Sequence, residues 1–295
     1  MRRHNNLDAI SLAHGPIALS IGNFDGVHLG HQAVLNRLKE AATQTVVLTF
    51  SNHPAEVLYG STVLRLTTLS HRLMLLEKMG IDHVIVIPFS KEFSRQSAAD
   101  FLSRLKEQIP FSNLILGYDA SIGHDRNQNL QPLCAPLSFS LEYQPPVQQN
   151  SQIISSSLIR QHIQKGELSQ TSALLGRPYS IYSEIQTGHG NGKKIGFPTA
   201  NLSIEGLALP PFGVYAVDVI YQDEKFLGVA NLGYAPTLHP ARAPCLEVHL
   251  IATERSLYGQ TIEVIFKRFI REEKRFESKE ALQSQIQHDI QAASI

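Results

Sequence analysis

The hydrophobic residues in the first half of the chain form two alternating patterns. Short, continuous apolar runs predict four buried strands, at 17–21, 45–50, 83–88 and 113–116. Between them, apolar residues recur at helical spacing over 31–42, 70–79 and 98–108. Buried strands that alternate with amphipathic helices are typical of a mostly parallel sheet covered on both faces. The first half is therefore expected to be a doubly wound α/β domain.

The periodicity changes in the second half. A short helix predicted over 168–175 ends at Gly176-Arg177-Pro178, and a glycine cap followed by proline is a strong stop signal. Beyond it, five short β-like runs are separated by turns, at 179–186, 213–220, 225–232, 246–251 and 261–269. This pattern predicts an antiparallel barrel or sandwich, followed by helix over 278–293. We expect two domains, 1–176 and 177–295.

Composition and charge exclude several classes of protein. The 295 residues are 43% hydrophobic and 18% charged, and 26 Lys+Arg balance 26 Asp+Glu, so no overall charge favours nucleic acid or a membrane surface as a partner. The two cysteines lie far apart in the sequence, which disfavours a disulfide scaffold and a zinc site. We find no signal-peptide core and no apolar run of membrane-spanning length. The expectation is a cytoplasmic protein, and its oligomeric state is left open.

The first candidate chemistry lies at the turn between the first strand and the first helix. Glycines at 22, 26 and 30 remove side chains where the backbone bends or approaches a ligand closely. His28 and His31 enter at the start of the helix, where free N–H groups and the helix dipole favour a phosphate. The alternative is that two of thirteen histidines merely fall in a loop.

Further polar segments follow the other strands of the first half. The carboxyl ends of parallel strands face one crevice, so the turns at 51–54 and 117–119 should converge on the 22–31 turn. Ser155, Ser156 and Ser157 precede a helical run, where a capping serine leaves N–H groups for phosphate and Arg160 could add a bidentate contact. Simple helix capping is the alternative for the serines, and a solvated polar loop is the alternative for the segment that begins at 117.

The order and spacing of these motifs resemble the adenylyltransferase half of bacterial bifunctional riboflavin kinase/FAD synthetases, within the nucleotidyltransferase superfamily. The resemblance implies a Rossmann-like domain that transfers AMP from ATP to FMN, giving FAD and pyrophosphate, with Mg²⁺. By this resemblance His28 and His31 face the ATP phosphates, and serines 155–157 with Arg160 hold the outgoing phosphates. Other implied nucleotide-site residues are Gly22, Asn23, Phe24, Gly26 and Asp119.

This half departs from the family pattern at two places. The family usually places aromatic residues at the positions of Ala120 and Ile122, and a cation at the position of Leu158. Less apolar surface and one charge fewer would weaken nucleotide binding. A kinase whose first domain has lost adenylylation is therefore a rival interpretation.

In the second half, residues 188–196 are rich in glycine and contain adjacent lysines. They do not form a Walker A loop, but backbone N–H groups of such a segment can wrap phosphates; a bare hairpin loop is the alternative. Thr199 and Asn201 follow at a spacing of two in an extended segment, so they lie on one side and both reach one cation or phosphate.

Residues 188–201 resemble the riboflavin kinase module, whose hallmark is Pro-Thr-Ala-Asn, and matching motifs extend through the second half. The resemblance implies a small β-barrel with a terminal helix, in which Thr199 and Asn201 bind Mg²⁺ with ATP. It makes Glu247 the base near the riboflavin 5′-hydroxyl, a role that suits a carboxylate. Arg271 is expected to contact flavin or close the site, with surface pairing as the alternative. Further implied ATP-site residues are Gly188, Gly190, Gly192, Lys193, Gly196 and Pro198.

We therefore predict an enzyme that phosphorylates riboflavin to FMN and adenylylates FMN to FAD, with these small molecules and ATP as its partners. A rival from another class is a regulator or carrier that binds flavin in both domains without turnover. The presence of Glu247, Thr199 and Asn201 argues against a carrier, since binding alone requires neither a proton acceptor nor a phosphate clamp.

Overall fold

A computed structural model describes residues 1–7, 10, 15–124, 129–186, 192, 195–234, 244–251 and 257–295. The chain divides into two compact units, Met1–Val63 with Arg72–Ser156 and Leu64–His71 with Ser157–Ile295. Three of the residues expected at the ATP site lie outside the described residues: Gly188, Gly190 and Lys193.

Six parallel strands form the main sheet among the described residues of the first unit. They are β1 (Arg2–His4), β2 (Ile17–Ile21), β3 (Gln44–Phe50), β4 (His83–Ile87), β5 (Asn113–Gly117) and β6 (Ser140–Gln144). Their order is β1-β4-β3-β2-β5-β6, so the chain reverses its direction of winding between β2 and β5. Ligands of such sheets bind beyond the carboxyl ends of the strands at this reversal. The doubly wound α/β prediction is confirmed.

The helices of this unit include α1 (Leu29–Ala41), α2 (Pro54–Tyr59), α3 (Leu69–Lys78) and α4 (Ala98–Gln108). α4 begins at the cap Ser97, whose hydroxyl accepts the Asp100 N–H, and its buried Leu102 packs in one core with Ile17 and Leu19 of β2. The short α2 runs from Pro54 to a left-handed Gly60 cap and contains no buried residue. β7 (Gln148–Gln149) and β8 (Gln152–Ile153) form a small separate hairpin.

β1, β6 and α2 are among the elements of the first unit that were not predicted, and each of these three lacks the apolar pattern for a physical reason. β1 and β6 are the two edges of the sheet, where polar and charged side chains are tolerated and protect against pairing with other chains. α2 has six residues and buries none of them, so it carries no helical periodicity. The buried strands and the amphipathic helices, in contrast, are all where the hydrophobic pattern places them.

The second unit is built on a closed antiparallel barrel of six strands within the described residues. They are β9 (Ser180–Gln186), β10 (Ala200–Leu202), β11 (Gly213–Tyr221), β12 (Glu224–Tyr234), β13 (Pro244–Leu250) and β14 (Thr261–Arg271). Pairing between β9 and β10 closes the ring, which confirms a barrel rather than a sandwich. β10 was not predicted, because its three residues are too few to show an alternating pattern.

Helices α5 (Ser156–Gln164) and α6 (Leu168–Leu175) precede the barrel, and α7 (Lys279–Ala293) follows it. α7 packs its Ile290 and Ala293 against Val214 and Val229, which face outward from the barrel strands. This confirms the predicted terminal helix.

A glycine inside the barrel gives a test of its close packing. Gly213 has φ +152°, and a Cβ added there would lie 2.5 Å from both the Arg271 carbonyl oxygen and the Phe269 ring. Gly259 has φ +71°, and an added Cβ would meet nothing within 4 Å. We expect Gly213→Ala to lower the free energy of unfolding by roughly 2–4 kcal/mol. Gly259→Ala should cost only the backbone term of about 1 kcal/mol. Equal losses in denaturant unfolding would contradict this account of Gly213.

Candidate active sites

The turn between β2 and α1 holds an unusual backbone. Phe24 and Val27 have φ of +50° and +40°, in the left-handed region that non-glycine residues rarely enter, and Gly26 has φ +83°. The Val27 N–H donates to the Phe24 carbonyl at 3.1 Å and closes the turn. A β-branched residue in this region is strained, so the surrounding contacts must enforce the conformation.

Buried Arg72 of α3 supplies part of that enforcement. Its Nη1 donates to the Asn23 side-chain oxygen at 2.9 Å and also to the Asn23 carbonyl, and its Nη2 donates to the Phe50 carbonyl at 2.7 Å. The Thr49 hydroxyl donates to the Asn23 carbonyl at 3.2 Å. Arg72 was missed in the sequence because a basic residue within a helical pattern reads as part of an exposed face.

His28 and His31 stand at the start of α1. His28 is the N-cap, and its Nδ1 accepts the His31 backbone N–H at 3.4 Å. The two rings stack, with centroids 3.6 Å apart. Gly30 makes room for this stack, because a Cβ there would lie 3.1 Å from His28 Cε1. The histidines are therefore an ordered pair at a helix N-terminus, not two residues of an unstructured loop.

A cavity of about 550 Å³ opens beside this turn. Residues that line it come from the carboxyl ends of β2, β3, β4 and β5, as expected for ligand sites of such sheets. Five of the predicted site residues are in this lining: Gly22, Asn23, Phe24, His31 and Asp119. The structure thus brings together residues that lie up to a hundred positions apart in the chain.

One group of lining residues is aromatic. The rings of Phe50, Phe89 and Phe93 lie 5.2–5.8 Å apart between centroids, and Phe93 also meets Phe101 edge-on at 5.2 Å. These rings are part of a hydrophobic core, so their positions are fixed before any ligand binds. Leu58 and Tyr59 of α2 line the same cavity while remaining 46% and 61% exposed.

Ala120 and Ile122, where the family usually has aromatic residues, also line the cavity. Ile122 is buried in the hydrophobic core, and Ala120 packs against that core. Neither residue opens a polar gap. The family's aromatic side chains are absent at 120 and 122, but the four phenylalanines described above supply apolar surface in the same cavity.

The serine segment before and within α5 is divided between the units. The Ser156 hydroxyl donates to the Asp25 carbonyl at 3.0 Å, and both residues belong to the first unit. Ser155 precedes the helix. Ser157 and Arg160 group with the second unit, where Arg160 Nη1 donates to the Ser157 hydroxyl at 3.4 Å. The structure therefore brings Ser156 to the turn, whereas the expected phosphate contacts of Ser157 and Arg160 stay predictions.

In the second unit, strand register places three polar residues in one row, of which two were predicted as site residues and one was not. Glu247 of β13 pairs with Asn201 of β10 on one side and with Asn231 of β12 on the other. Directly paired residues point to the same face of a sheet. The neighbours Leu246 and Val248 are fully buried, so the row lies on the outer face of the barrel. Asn231 was not identified as a site residue in the sequence, because only the register shows that it adjoins Glu247.

The segment before β10 is held by close backbone contacts. The Phe197 N–H donates to the Gly192 carbonyl at 2.9 Å, and a Cβ at Gly192 would lie 2.3 Å from the Phe197 carbonyl and 3.1 Å from the Thr199 hydroxyl oxygen. His249 Nδ1 hydrogen-bonds the Pro198 carbonyl at 2.9 Å. Gly196, at φ +87°, lies in the same turn. Thr199 is thus fixed beside a glycine that has no side chain to cover it.

The donor set fits a hydrated magnesium ion carried by a nucleotide. Thr199 and Asn201 offer a hydroxyl and an amide oxygen, and Mg²⁺ takes oxygen ligands while keeping waters and substrate phosphates. Across the described ranges, no group of three or more histidine, cysteine, aspartate or glutamate residues could hold a metal by itself. A metal cage built from these four residue types is therefore not present in that part of the chain.

Arg271, which was expected to contact the flavin, forms hydrogen bonds with other residues of this chain. Its Nε and Nη2 donate to the two Asp289 carboxylate oxygens at 2.9 and 2.7 Å, and Nη1 donates to the Glu272 carbonyl. Asp289 is buried and also accepts from Gln285 of α7. These bonds tie α7 to β14, so the surface-pairing alternative has direct support and a flavin contact of Arg271 stays a prediction.

Two protein families match this chain, each over a different half. The FAD synthetase family profile matches residues 11–158, and the riboflavin kinase family profile matches residues 175–295. The chain is 38% identical to the bifunctional riboflavin kinase/FMN adenylyltransferase of Haemophilus influenzae, over 94% of this chain and 92% of that one. The protein of the same name from Listeria monocytogenes is 35% identical, over 92% and 90%.

One solved structure is similar over nearly the whole chain. It is titled a macrolide-efflux protein from Streptococcus pneumoniae, with 27% identity, a TM-score of 0.82 and coverage of 99% of this chain and 98% of that one. Among the described residues here, no helix has the length and apolar character to cross a bilayer.

The thiol beside the polar row gives a test of its electrostatics. Burial, and then the nearby carboxylates of Glu247 and Glu273, raise the pKa of Cys245 to about 11. Only the thiolate is alkylated at an appreciable rate, so a raised pKa suppresses the reaction at neutral pH. In a Cys134→Ser background, we expect the iodoacetamide rate at Cys245 to keep rising up to about pH 11. A plateau below pH 9 would contradict the burial of this thiol beside the two carboxylates.

Proposed function

The chain belongs to the bifunctional riboflavin kinase/FMN adenylyltransferase family, and we propose that its two units carry out the two ATP-dependent reactions of that family. The second unit phosphorylates riboflavin to FMN, and the first adenylylates FMN to FAD. The observation that carries this proposal is that the two family profiles match separate halves of the chain, FAD synthetase over 11–158 and riboflavin kinase over 175–295. We keep the functional boundary at residue 176, which falls close to the start of the riboflavin kinase match.

In the first unit, the β2–α1 turn is the proposed ATP site. An FMN phosphate oxygen attacks the α-phosphorus of ATP and pyrophosphate leaves, so the protein needs to orient the reactants and stabilise negative charge. The N-terminus of α1 presents N–H groups toward this charge. Because His28 Nδ1 accepts a hydrogen bond, the neutral His28 ring carries its proton on Nε2, where it is a donor. Gly22, Asn23, Phe24 and Gly26 shape the backbone of the turn.

The aromatic side of the cavity is the proposed site of the flavin ring. A large, flat, largely apolar ring stacks well on phenylalanine side chains. Phe50, Phe89 and Phe93 supply such a surface, and about 550 Å³ falls in the range usual for ligand pockets. This supports adenylylation despite Ala120 and Ile122, and it weakens the rival in which the first unit is inactive. Asp119, from the end of β5, completes the wall.

In the second unit, Glu247 is the proposed base of the kinase reaction. It accepts the proton of the riboflavin 5′-hydroxyl as that oxygen attacks the γ-phosphorus of ATP. Thr199 and Asn201 would hold Mg²⁺, which when bound neutralises phosphate charge. The glycine-rich segment 188–196 would wrap the phosphates with its backbone N–H groups. Two cysteines without a disulfide fit a reducing compartment, so we place the protein in the cytoplasm.

A product assay tests the whole proposal. Riboflavin, ATP and Mg²⁺ should yield FMN first and FAD later, resolved by chromatography. If FMN forms but FAD does not, even when FMN is supplied as the substrate, the result would favour a kinase with an inactive first unit. Tight flavin binding without either product would favour a carrier and overturn the enzyme assignment.

Two substitutions should separate the activities. Glu247→Gln removes the proton acceptor, so FMN formation should fall by at least about a hundredfold, while FMN is still converted to FAD. His28→Ala should impair FAD formation and spare the kinase. Each variant serves as the folding control of the other. A folded Glu247→Gln protein that loses both activities together would refute the division of labour.

A further inference from the structure

A carboxylate that the proposed mechanism does not use lies on the same barrel face as Glu247. Glu273, in the segment between β14 and α7, places its carboxylate over Gly233 of β12. A Cβ built at Gly233 would lie only 1.8 Å from Glu273 Oε1. The carboxylate thus fills the space of the side chain that glycine lacks.

Asn231 holds Glu273 in this position. Its Nδ2 donates to Glu273 Oε1 at 3.3 Å, and Asn231 is the outward-facing residue next to Gly233 along β12. Asn231 also pairs directly with Glu247. Glu273 is therefore tied to the row through the residue that adjoins the proposed base.

The two sides of the row differ in charge and in the ligand proposed for them. In the order β10-β13-β12, Glu247 is the middle residue, with Asn201 on one side and Asn231 on the other, about 4.8 Å from strand to strand. Thr199 and Asn201 lie on the side proposed for the nucleotide. Glu273 adds a negative charge to the opposite side, which disfavours triphosphate there.

Riboflavin supplies the complementary group. Its ribityl chain is uncharged and has hydroxyls at 2′, 3′ and 4′ beside the reacting 5′-hydroxyl. A carboxylate is an acceptor with several lone pairs, and hydrogen bonds from hydroxyls to it are stronger than neutral ones. Glu273 is exposed, so its remaining acceptor capacity is accessible to a ligand.

We infer that Glu273 binds the ribityl hydroxyls of riboflavin, and that Asn231 is a positioning residue that holds Glu273 over Gly233. This deepens the proposed kinase function and rests on it. The ribityl chain then enters the site from the β12 side of Glu247, and ATP approaches from the β10 side.

Three variants test the assignment in steady-state kinase assays. Glu273→Ala removes the carboxylate, and Gly233→Ala displaces it while leaving it in the chain. Both should raise the KM for riboflavin about tenfold, equivalent to about 1.4 kcal/mol, with little change in kcat or in the KM for ATP. Glu272→Ala, which removes an adjacent exposed carboxylate, should behave as wild type.

A flavin analogue gives a readout that a purely structural role would not move. The probe is a flavin with a 5-hydroxypentyl chain, which keeps the reacting hydroxyl and lacks the other three. The preference of the wild type for riboflavin over this analogue, measured as kcat/KM, should shrink about tenfold in Glu273→Ala and Gly233→Ala. Asn231→Ala should reproduce part of this loss.

Unchanged preference in both folded variants, or a rise in the KM for ATP instead, would overturn the assignment. If Glu273→Ala does not fold, as judged by thermal unfolding, Gly233→Ala decides the outcome. Glu247→Gln distinguishes the two levels of inference. A Glu247→Gln enzyme with normal kinase activity refutes the proposed mechanism, whereas loss there with a normal Glu273→Ala enzyme refutes only the ribityl contact.

Discussion

Strand pairing is the constraint on which both candidate sites depend. In the parallel sheet, pairing of β2 with both β3 and β5 places three turns at one edge, although their residues are far apart in sequence. In the barrel, pairing of β13 with β10 and β12 places Glu247 between two asparagines. Side chains attached to such backbones cannot drift apart, because the ladder hydrogen bonds and the buried opposite face fix the register.

Glycines at three positions leave room for the polar groups that strand register and helix position bring together. Gly30 leaves room for the His28 ring, Gly192 leaves the Thr199 hydroxyl uncovered, and Gly233 leaves space for a carboxylate. These positions need small volume more than unusual backbone angles, since none of the three has a positive φ. A methyl group at Gly30 would press on the His28 ring and one at Gly233 on the Glu273 carboxylate, whereas one at Gly192 would first meet the Phe197 carbonyl.

The sequence predicted the fold well because burial leaves a periodic record. Buried β3 is apolar almost throughout, and α4 shows its packed face at helical spacing. The edge strands and β10 left no such record, since they are polar or very short. Resemblance located His28 and Thr199, but residues that act through contacts were not recognisable. Arg72 and Asn231 are ordinary polar residues until the fold shows that one holds the β2–α1 turn and the other adjoins Glu247.

The exposed apolar residues of α2 bear on how the first unit responds to its substrate. Folding leaves Leu58 and Tyr59 in contact with water although both line the cavity. Removal of apolar surface from water is favourable by about 25 cal/mol per Å², and for these two side chains folding gains only part of that free energy. A ligand that covers them gains the rest in binding. The local stability of α2 is consequently coupled to occupancy of the cavity, and hydrogen exchange of its amides would report that occupancy directly.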